Sequence, residues 1–391
     1  MRTRSPAPLV GLCVVEFLSW GILYYTLPVI GVRITAATGW PPLVVPVVYT
    51  TSLLCAAFAT PWAGRMVDRH GPRPVMTLGS LVGAGALVLA GVTGWLPLFA
   101  VAWLVVGVAQ AGTLYPPAFA AATQWFGTVR AWPLTAITLA GGVSSTAFAP
   151  LTAALNEKLG WQTTLVVLGT GYGVVSTAAA ALMLTSRWRR PVREGAEHAE
   201  YVTQIVRSAP FRRSRLALAM TALGLYAVTL NVIPLLTELG FGYHSAAIVF
   251  GLIGVGQVFG RVLYLPLRRL GTPRARTTAQ VAASTAGMGI LAVVTAPLAL
   301  AASAAMFAGA ARGTHTLSVA NAVTDRWGAE SYATILGRFH RPVAIAMALG
   351  PATGSAIAAA LGSYRTAAAL FAVLGGLAIL TARRSSYGRN T

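Results

Sequence analysis

The chain has 391 residues, of which 56% are hydrophobic and only 10% are charged. Its mean hydropathy of +0.68 lies far above that of ordinary soluble domains, so an integral membrane protein is indicated and a soluble globular protein is excluded. The formal net charge of +20 raises the alternative of nucleic-acid binding, which the distribution of the basic residues has to decide.

Apolar runs of about 20 residues recur along the whole chain, separated by short polar segments. Each run is long enough to cross a hydrocarbon core about 30 Å thick as an α-helix, and continuous apolarity favours helices over a β-barrel. The runs cover residues 9–32, 41–62, 74–93, 96–121, 132–155, 162–184, 214–237, 245–266, 277–295, 297–321, 338–361 and 364–382. The sequence therefore predicts an all-α membrane protein with twelve transmembrane helices, called spans 1 to 12, and span 1 is not a removable signal.

The basic residues lie mainly on one side of this predicted topology. With both termini in the cytoplasm, 24 of the 29 Lys and Arg residues are cytoplasmic, and only Arg33, Lys158 and Arg365 are outside. This positive-inside bias orients the helices and predicts contact with anionic lipid head groups, so nucleic-acid binding is not expected. The arginine-rich composition, with Lys158 as the only lysine, favours a bacterial inner membrane.

One longer polar segment divides the twelve spans into six and six. It is rich in arginine, holds three of the nine acidic residues and is too short to form a core of its own. The predicted organisation is an N-terminal half at 1–185, a cytoplasmic linker at 186–213 and a C-terminal half at 214–391.

The two halves also resemble each other. AGTLYPPAFAAATQWFG at 111–127 aligns with RGTHTLSVANAVTDRWG at 312–328, and the same register places Pro150 on Pro351. A register kept across two spans and a loop favours duplication of a six-helix half. Repeated halves predict a binding site near the middle of the membrane, where the halves meet and rock about the substrate.

The densest charge cluster, GRMVDRHGPRPV at 64–75, lies between spans 2 and 3. It closely resembles the loop signature G-x-L-x-D-R-x-G-R-K of the major facilitator superfamily, which the chain resembles over essentially its whole length. The matching residues are Gly64, Asp68, Arg69, Gly71 and Arg73. The resemblance implies the major facilitator fold, with two six-helix pseudo-repeat halves, and a role for these five residues as a conformational latch.

For three of the latch residues a physical role can be expected. Gly64 should let the end of span 2 approach another helix, Asp68 can serve a helix N-terminus and an arginine, and Gly71 before a proline should form a tight turn. The corresponding loop of the second half keeps Gly260, Gly271 and several arginines but has no Asp. The latch is therefore expected in the first half alone.

Three segments resemble the monocarboxylate transporter and oxalate/formate antiporter branch of this superfamily. They are EFLSWG at 16–21 with YYTLP at 24–28, the start of span 5 at 125–142, and GQVFGR with Gln257 and Arg261. The resemblance implies a carboxylate substrate bound by Arg261. Gln257 stands where the branch tends to have an Asp, so proton coupling through that position is not implied.

Glu16 is the only carboxylate predicted to lie deep within a span. It shares a helical stripe with Trp20 and Tyr24, at i, i+4 and i+8. Because an ionisable group in the membrane is costly, we expect Glu16 to be the proton-coupling residue. The alternative is a structural role, with Glu16 paired to an arginine or capping a break in the backbone.

Cationic groups are expected to bind the substrate. Arg261 matches a carboxylate bidentately and lies one helical turn from Gln257, while Arg312 and His315 share a face of span 10. The alternatives are that Arg261 pairs with Glu16 or with helix carbonyls, and that span 10 uses its two cations against the loop containing Asp325. Further candidates for the cavity wall are Tyr24, Trp20, Asn231 and Tyr115.

Two Arg and one His against a single Glu favour an anionic cargo. We expect a secondary active transporter that moves a small monocarboxylate or dicarboxylate by alternating access, with proton symport and anion exchange both open. A proton-coupled drug or metabolite exporter of the same fold is the alternative, and a non-transporting sensor is disfavoured. Both cysteines lie in apolar runs, so no metal or cofactor is expected, and we expect a monomer without enzymatic activity.

Overall fold

The computed structural model of the chain is helical, with no strand among the residues that it describes. It describes residues 6–126, 131–188, 198–267, 271–294, 297–328 and 332–385. The chain divides into two compact units, Met1–Val192 and Arg193–Thr391. The division falls inside the predicted linker, whose central part at 189–197 lies outside the described residues, as does the 127–130 part of the predicted start of span 5.

The N-terminal unit contains spans 1 to 6. Its elements are α1 (Ala7–Leu18), a π-helical turn (Ser19–Tyr24), α2 (Thr26–Thr38), α3 (Val44–His70), α4 (Pro72–Val92), α5 (Leu96–Thr113), α6 (Tyr115–Phe126) and α7 (Ala131–Met183). The segments α1, the π-helical turn and α2 together form span 1, and α5 with α6 forms span 4. Helix α7 contains spans 5 and 6, which are separated by a kink at Gly160, where a positive φ of 75° interrupts the helical geometry.

The C-terminal unit repeats this arrangement. Its elements are α8 (His198–Arg207), α9 (Ala209–Leu230), α10 (Val232–Glu238), α11 (Tyr243–Leu267), α12 (Pro273–Val293), α13 (Leu298–Asn321), α14 (Thr324–Trp327), α15 (Tyr332–Leu361) and α16 (Tyr364–Arg383). Span 7 is α9 with α10, bent by 52° where the two helices meet. Helix α8 is an amphipathic helix within the predicted linker, and its buried Val202 and Ile205 pack into the core of this unit.

The element order confirms the predicted all-α architecture with twelve spans. Eight described helices are long and apolar enough to cross a membrane, or nine if the bent pair α9–α10 is one span. Helix α7 supplies two of the twelve spans, and α12 and α13 supply two more although they carry arginines and many small residues. Large apolar side chains such as Leu182 and Val373 are 73% and 72% exposed, as expected where helices face lipid.

Glycines bring α11 and α13 into backbone contact. We call Gly256, Gly260, Gly309 and Gly313 the glycine seam, because a Cβ atom at any of them would stand well inside 3.0 Å of a carbonyl oxygen on the facing helix. Small residues allow such close approach within a membrane. In the N-terminal unit Gly107 of α5 meets the backbone of α3 in the same way, about 200 positions earlier, which supports the predicted duplication.

The predicted latch loop is mostly helical, which corrects the sequence interpretation. Residues 64–70 continue α3, and Gly71 alone, with φ +86°, separates this helix from α4. The tight turn at Gly71 is thereby confirmed. Within the described part of the N-terminal unit, a Cβ atom at Gly64 would meet no other atom within 4 Å, so close approach of another helix at Gly64 stays a prediction.

Asp68 also differs from its expectation. Its side chain is exposed, it forms no ion pair with any residue in the described ranges, and α4 begins without a side-chain cap. Its backbone carbonyl accepts a hydrogen bond from Trp188 Nε1 at 3.2 Å, and the Trp188 ring covers Gly71. A tryptophan from the first residues of the predicted linker therefore packs on the latch segment.

The second half does have a carboxylate at its equivalent turn, although the loop sequence lacks one. Arg276 of α12 donates to Asp325 of α14 at 2.7 Å, and Arg326 donates to the Pro273 carbonyl at 3.1 Å and to Thr277 Oγ1 at 2.8 Å. Burial lowers the pKa of Arg326 to about 10, which leaves its guanidinium charged at neutral pH. The acid comes from the end of span 10, a place that the loop comparison does not cover.

Candidate functional site

Within the described part of the chain, four ionisable groups other than tyrosine and cysteine are buried. They are Glu16 in the N-terminal unit and Arg261, Arg312 and His315 in the C-terminal unit. These are the four charged groups that the sequence analysis selects. A charged group inside a membrane protein is costly and is therefore a functional candidate.

Glu16 lies among aromatic rings. Its Oε2 accepts a hydrogen bond from Trp20 Nε1 at 2.9 Å, whereas its Oε1 has no hydrogen-bond partner among the described residues, and the residue is 0% exposed. The Trp20 ring lies 4.7 Å from the Tyr24 ring and 4.8 Å from the Tyr115 ring, measured between centroids. The structure thus brings together the four residues of the first half that are predicted to bind the substrate or the proton.

A glycine makes room for these rings. A Cβ atom at Gly141 of α7 would come within 3.0 Å of both Tyr115 Oη and the Trp20 ring, so only glycine lets span 5 approach them this closely. Tyr115 Oη in turn donates to the Thr138 carbonyl at 3.4 Å. Gly141 has no signal in the sequence, because its partners Trp20 and Tyr115 are distant in the chain.

The π-helical turn directly follows the Glu16 helix. Within it the Tyr25 amide donates to the Trp20 carbonyl, five residues earlier, at 3.0 Å. Pro28 has no N–H to offer the Tyr24 carbonyl, and Tyr49 Oη donates to that carbonyl instead at 2.8 Å. Gln110 Nε2 likewise donates to the Leu23 carbonyl at 2.8 Å. Neither Tyr49 nor Gln110 was predicted, and Pro28 is the only sequence signal of the irregularity.

Arg261 and Gln257 lie one turn apart on α11, as predicted. They are 6% and 3% exposed, and Gln257 Nε2 has no hydrogen-bond partner in the described parts of the chain. Their backbone is held against α13 by the glycine seam, where Gly313 meets Gln257 and Gly260 meets Ala310. An amide donor and a guanidinium are therefore presented from one rigid helix pair.

Arg312 and His315 share a face of α13, and that face packs against α9. The Arg312 guanidinium lies 4.0 Å from the centroid of the Tyr226 ring, and Nη1 is 3.4 Å from Thr229 Oγ1. The Nε2 of His315 lies 3.1 Å from the Leu218 carbonyl and must donate to it, so Nδ1 is the nitrogen that can be without a proton. Asp325, the acid of the alternative, binds Arg276 at 2.7 Å.

Asn231 lies at the bend of span 7. Its Nδ2 donates to the Ala227 carbonyl at 2.8 Å and to the Pro351 carbonyl at 3.1 Å, and its Oδ1 accepts from Ser355 at 3.0 Å. The bonds with Pro351 and Ser355 join the bend of span 7 to the proline-containing part of α15, whereas the bond to Ala227 lies within span 7. The role of Asn231 in substrate binding stays a prediction, and the structure gives its amide a structural role.

Comparisons with known proteins place this geometry in a family. The model of the Major Facilitator Superfamily matches residues 12–340. A search of curated proteins finds no match. Several solved structures are similar over nearly the whole chain.

One similar structure is a bacterial homolog of the human lysosomal transporter Spinster, in an inward-facing and occupied conformation. It shares 16% identity with a TM-score of 0.77, covering 98% of this chain and 97% of that chain. A mutant form of the nucleoside transporter NupG shares 13% identity with a TM-score of 0.77, covering 97% and 100%. A POT family transporter in complex with a thioalcohol-conjugated peptide shares 11% identity with a TM-score of 0.75, covering 96% and 94%. Identities this low show a common fold alone.

Proposed function

This chain belongs to the Major Facilitator Superfamily of membrane transporters, and from that premise we propose that it moves a small organic anion, a monocarboxylate or dicarboxylate, by alternating access. It is an integral multi-pass membrane protein and a transporter of a small molecule. Beyond membership of the family, we propose the class of cargo and either proton coupling or anion exchange. We also propose that the protein is a monomer in a bacterial inner membrane, with both termini in the cytoplasm. Contact of its arginines with anionic lipids is part of the same proposal.

The main support for the proposal is the sign of the buried charges in the C-terminal unit. Two guanidiniums, Arg261 and Arg312, are buried in the C-terminal unit. The described carboxylates of that unit lie elsewhere: Glu200 is exposed, Glu238 caps the N-terminus of α16 through Ser363 and the Tyr364 amide, and Asp325 binds Arg276. The buried charge of this unit is therefore cationic, which suits an anionic ligand.

In the proposed mechanism the substrate carboxylate docks on Arg261. A guanidinium can bind both carboxylate oxygens at once and so fixes orientation as well as charge. The Gln257 amide, one turn away, offers a further N–H donor to the substrate. Arg312, which lies against the Tyr226 ring, adds positive charge to the pair of helices α11 and α13. His315 adds a polar side chain to the same pair.

Glu16 would carry the coupled proton. Its Oε2 is already bonded to Trp20, so the proton would be held on Oε1. Transport with a proton then requires Glu16 to bind the proton on one side of the membrane and to release it on the other. If Glu16 keeps one charge state throughout the cycle, the protein works instead as an anion exchanger.

We expect carboxylates to raise the unfolding temperature of the purified protein and labelled carboxylate to enter reconstituted vesicles. Uptake should fall roughly 100-fold in Arg261→Ala, because a buried charged hydrogen-bond pair is lost. Arg261→Lys should recover only part of it, since an ammonium lacks the bidentate geometry. Arg274→Ala, at an exposed arginine, is the matched control, and undiminished uptake by Arg261→Ala would exclude the docking role.

The exporter alternative has one favourable observation. A buried carboxylate beside Trp20, Tyr24 and Tyr115 is a suitable environment for an organic cation, through charge and cation–π contacts. In the same unfolding experiment, stabilisation by lipophilic cations and not by carboxylates would favour this alternative. Stabilisation by carboxylates alone supports the anion transporter.

The latch of the first half, made of Gly64, Asp68, Arg69, Gly71 and Arg73, stays part of the proposal. It is supported by the glycine turn and by the exposed acid at the end of α3. In the second half the pair Arg276–Asp325 and the neighbouring Arg326 lie near the start of α12, the counterpart of α4, so we propose that each half has its own latch.

The second latch can be tested by a double-mutant cycle on Arg276→Gln and Asp325→Asn. The two side chains are 19% and 10% exposed, so we expect a coupling free energy of unfolding of about 1–3 kcal/mol. The pair Arg33–Glu157, at 4.0 Å and with side chains 47% and 39% exposed, is the control and should couple by less than about 0.5 kcal/mol. Equal coupling in the two cycles would contradict a special role for Arg276 and Asp325.

A further inference from the structure

Span 1 departs from regular helical geometry directly after the Glu16 helix. The wide turn, our name for the π-helical Ser19–Tyr24, is closed by the bond from the Tyr25 amide to the Trp20 carbonyl. A π-helical turn holds one residue more than an α-helical turn and is rarely stable by itself. Something outside span 1 must therefore support it.

Three other helices supply that support. Tyr49 of α3 donates to the Tyr24 carbonyl, Gln110 of α5 donates to the Leu23 carbonyl, and Tyr172 of α7 lies 3.0 Å from the Ser19 hydroxyl. Tyr49, Gln110 and Tyr172 are 2%, 1% and 0% exposed. Buried polar groups of this kind are costly unless they are bonded, so their placement is accounted for by the wide turn.

Gln110 is the most informative of the three. Its Nε2 serves a backbone carbonyl on another helix, while its Oε1 has no hydrogen-bond partner in the described ranges. A glutamine that only stabilised its own helix would not need to reach the backbone of span 1. Its single bond therefore goes to the C-terminal end of the wide turn, where Leu23 is located.

The wide turn sets the direction in which Glu16 and Trp20 point. If Ser19–Tyr24 became a regular α-helix, the preceding part of span 1, including Glu16, would rotate relative to α2. The rotation would be about 100°, the angle of one residue in an α-helix. Such a rotation would move Trp20 away from Tyr115 and from the space left by Gly141. The orientation of the Glu16 carboxylate thus depends on bonds made more than one turn away.

We propose that Gln110 and Tyr49 are positioning residues for transport, which hold span 1 in its wide register and thereby fix the position of the Glu16–Trp20 pair. The inference rests on the proposed role of Glu16 as the proton site. Both residues hold span 1 through backbone carbonyls, and the Tyr49 ring also lies 5.9 Å from the Tyr24 ring, measured between centroids.

Gln110→Leu and Tyr49→Phe test this inference because each removes one donor and keeps most of the side-chain volume. In vesicles, we expect uptake driven by a pH gradient to slow by roughly three- to tenfold, the change expected from one buried hydrogen bond, with the KM for carboxylate exchange unchanged. Hydrogen exchange at the amides of residues 24–30 should become faster. Thr164→Val, which removes a buried hydroxyl that bonds within α7, is the control. It should change neither the gradient-driven uptake nor the hydrogen exchange of residues 24–30.

Three outcomes would overturn the inference and they can be told apart. If Glu16→Gln abolishes the response to the gradient while Gln110→Leu and Tyr49→Phe respond as the unaltered protein does, the positioning role alone is wrong. If Glu16→Gln responds normally, the proton-site proposal is wrong and the positioning of Glu16 for coupling is wrong with it. A uniform loss of exchange and of gradient-driven uptake in both variants would indicate a merely structural role.

Discussion

Replacing Gly256 by alanine should lower the free energy of unfolding by about 3 kcal/mol, a large effect for one methyl group. The added Cβ atom would overlap the Met306 carbonyl on α13, and neither backbone can yield without moving a whole helix. Thermal unfolding in detergent, followed by tryptophan fluorescence, measures the change. Transport should fall as well, because Arg261 lies on the helix that would be displaced.

The same substitution at Gly376 of α16 is the matched control. A Cβ atom there would meet none of the described residues within 4 Å, so alanine should be neutral or stabilising by up to about 1 kcal/mol through its better helix propensity. Equal effects at the two positions would mean that the close approach of α11 and α13 does not contribute to stability.

Glu16→Gln should abolish accumulation driven by a pH gradient. One pH unit is worth about 1.36 kcal/mol per proton, so a transporter that carries one proton per substrate should accumulate its cargo about tenfold. The amide keeps the shape of the side chain and can still accept from Trp20, but it cannot bind a proton at neutral pH. The variant should therefore only equilibrate the labelled carboxylate, while exchange of labelled for unlabelled substrate continues.

Glu157→Gln serves as the control for this experiment because its side chain is 39% exposed. It should accumulate substrate like the unaltered protein. Accumulation by Glu16→Gln that follows the gradient fully would exclude Glu16 as the coupling site. Loss of exchange together with accumulation would instead assign Glu16 to substrate binding.

The features that could be predicted from the sequence depend on local composition. Apolar runs predict the spans, and a glycine before a proline predicts the turn at Gly71. Helical spacing predicts that Glu16, Trp20 and Tyr24 lie on one side of span 1. The scarcity of acidic residues drew attention to Glu16, which is indeed buried. Periodicity and composition are sufficient for such features because the membrane restricts the chain to helices.

The features that were missed depend on partners distant in the chain. The wide turn exists because Tyr49 and Gln110 support it, and no local pattern around Pro28 names those residues. Arg312 has the composition of a cavity cation, yet its position over Tyr226 follows from how α13 packs on α9. The continuation of α3 through 64–70 is hidden in the sequence, because a segment rich in arginine and glycine is typical of a loop.

The glycine seam has a consequence for the distance between the two buried guanidiniums. Gly260 and Gly313 put the backbones of α11 and α13 in contact next to Arg261 and Arg312, so neither helix can slide or tilt without the other. When the C-terminal unit moves during transport, the two arginines should travel as a fixed pair. Selectivity for cargo length would then be the same on both sides of the membrane, and only access to the pair would change.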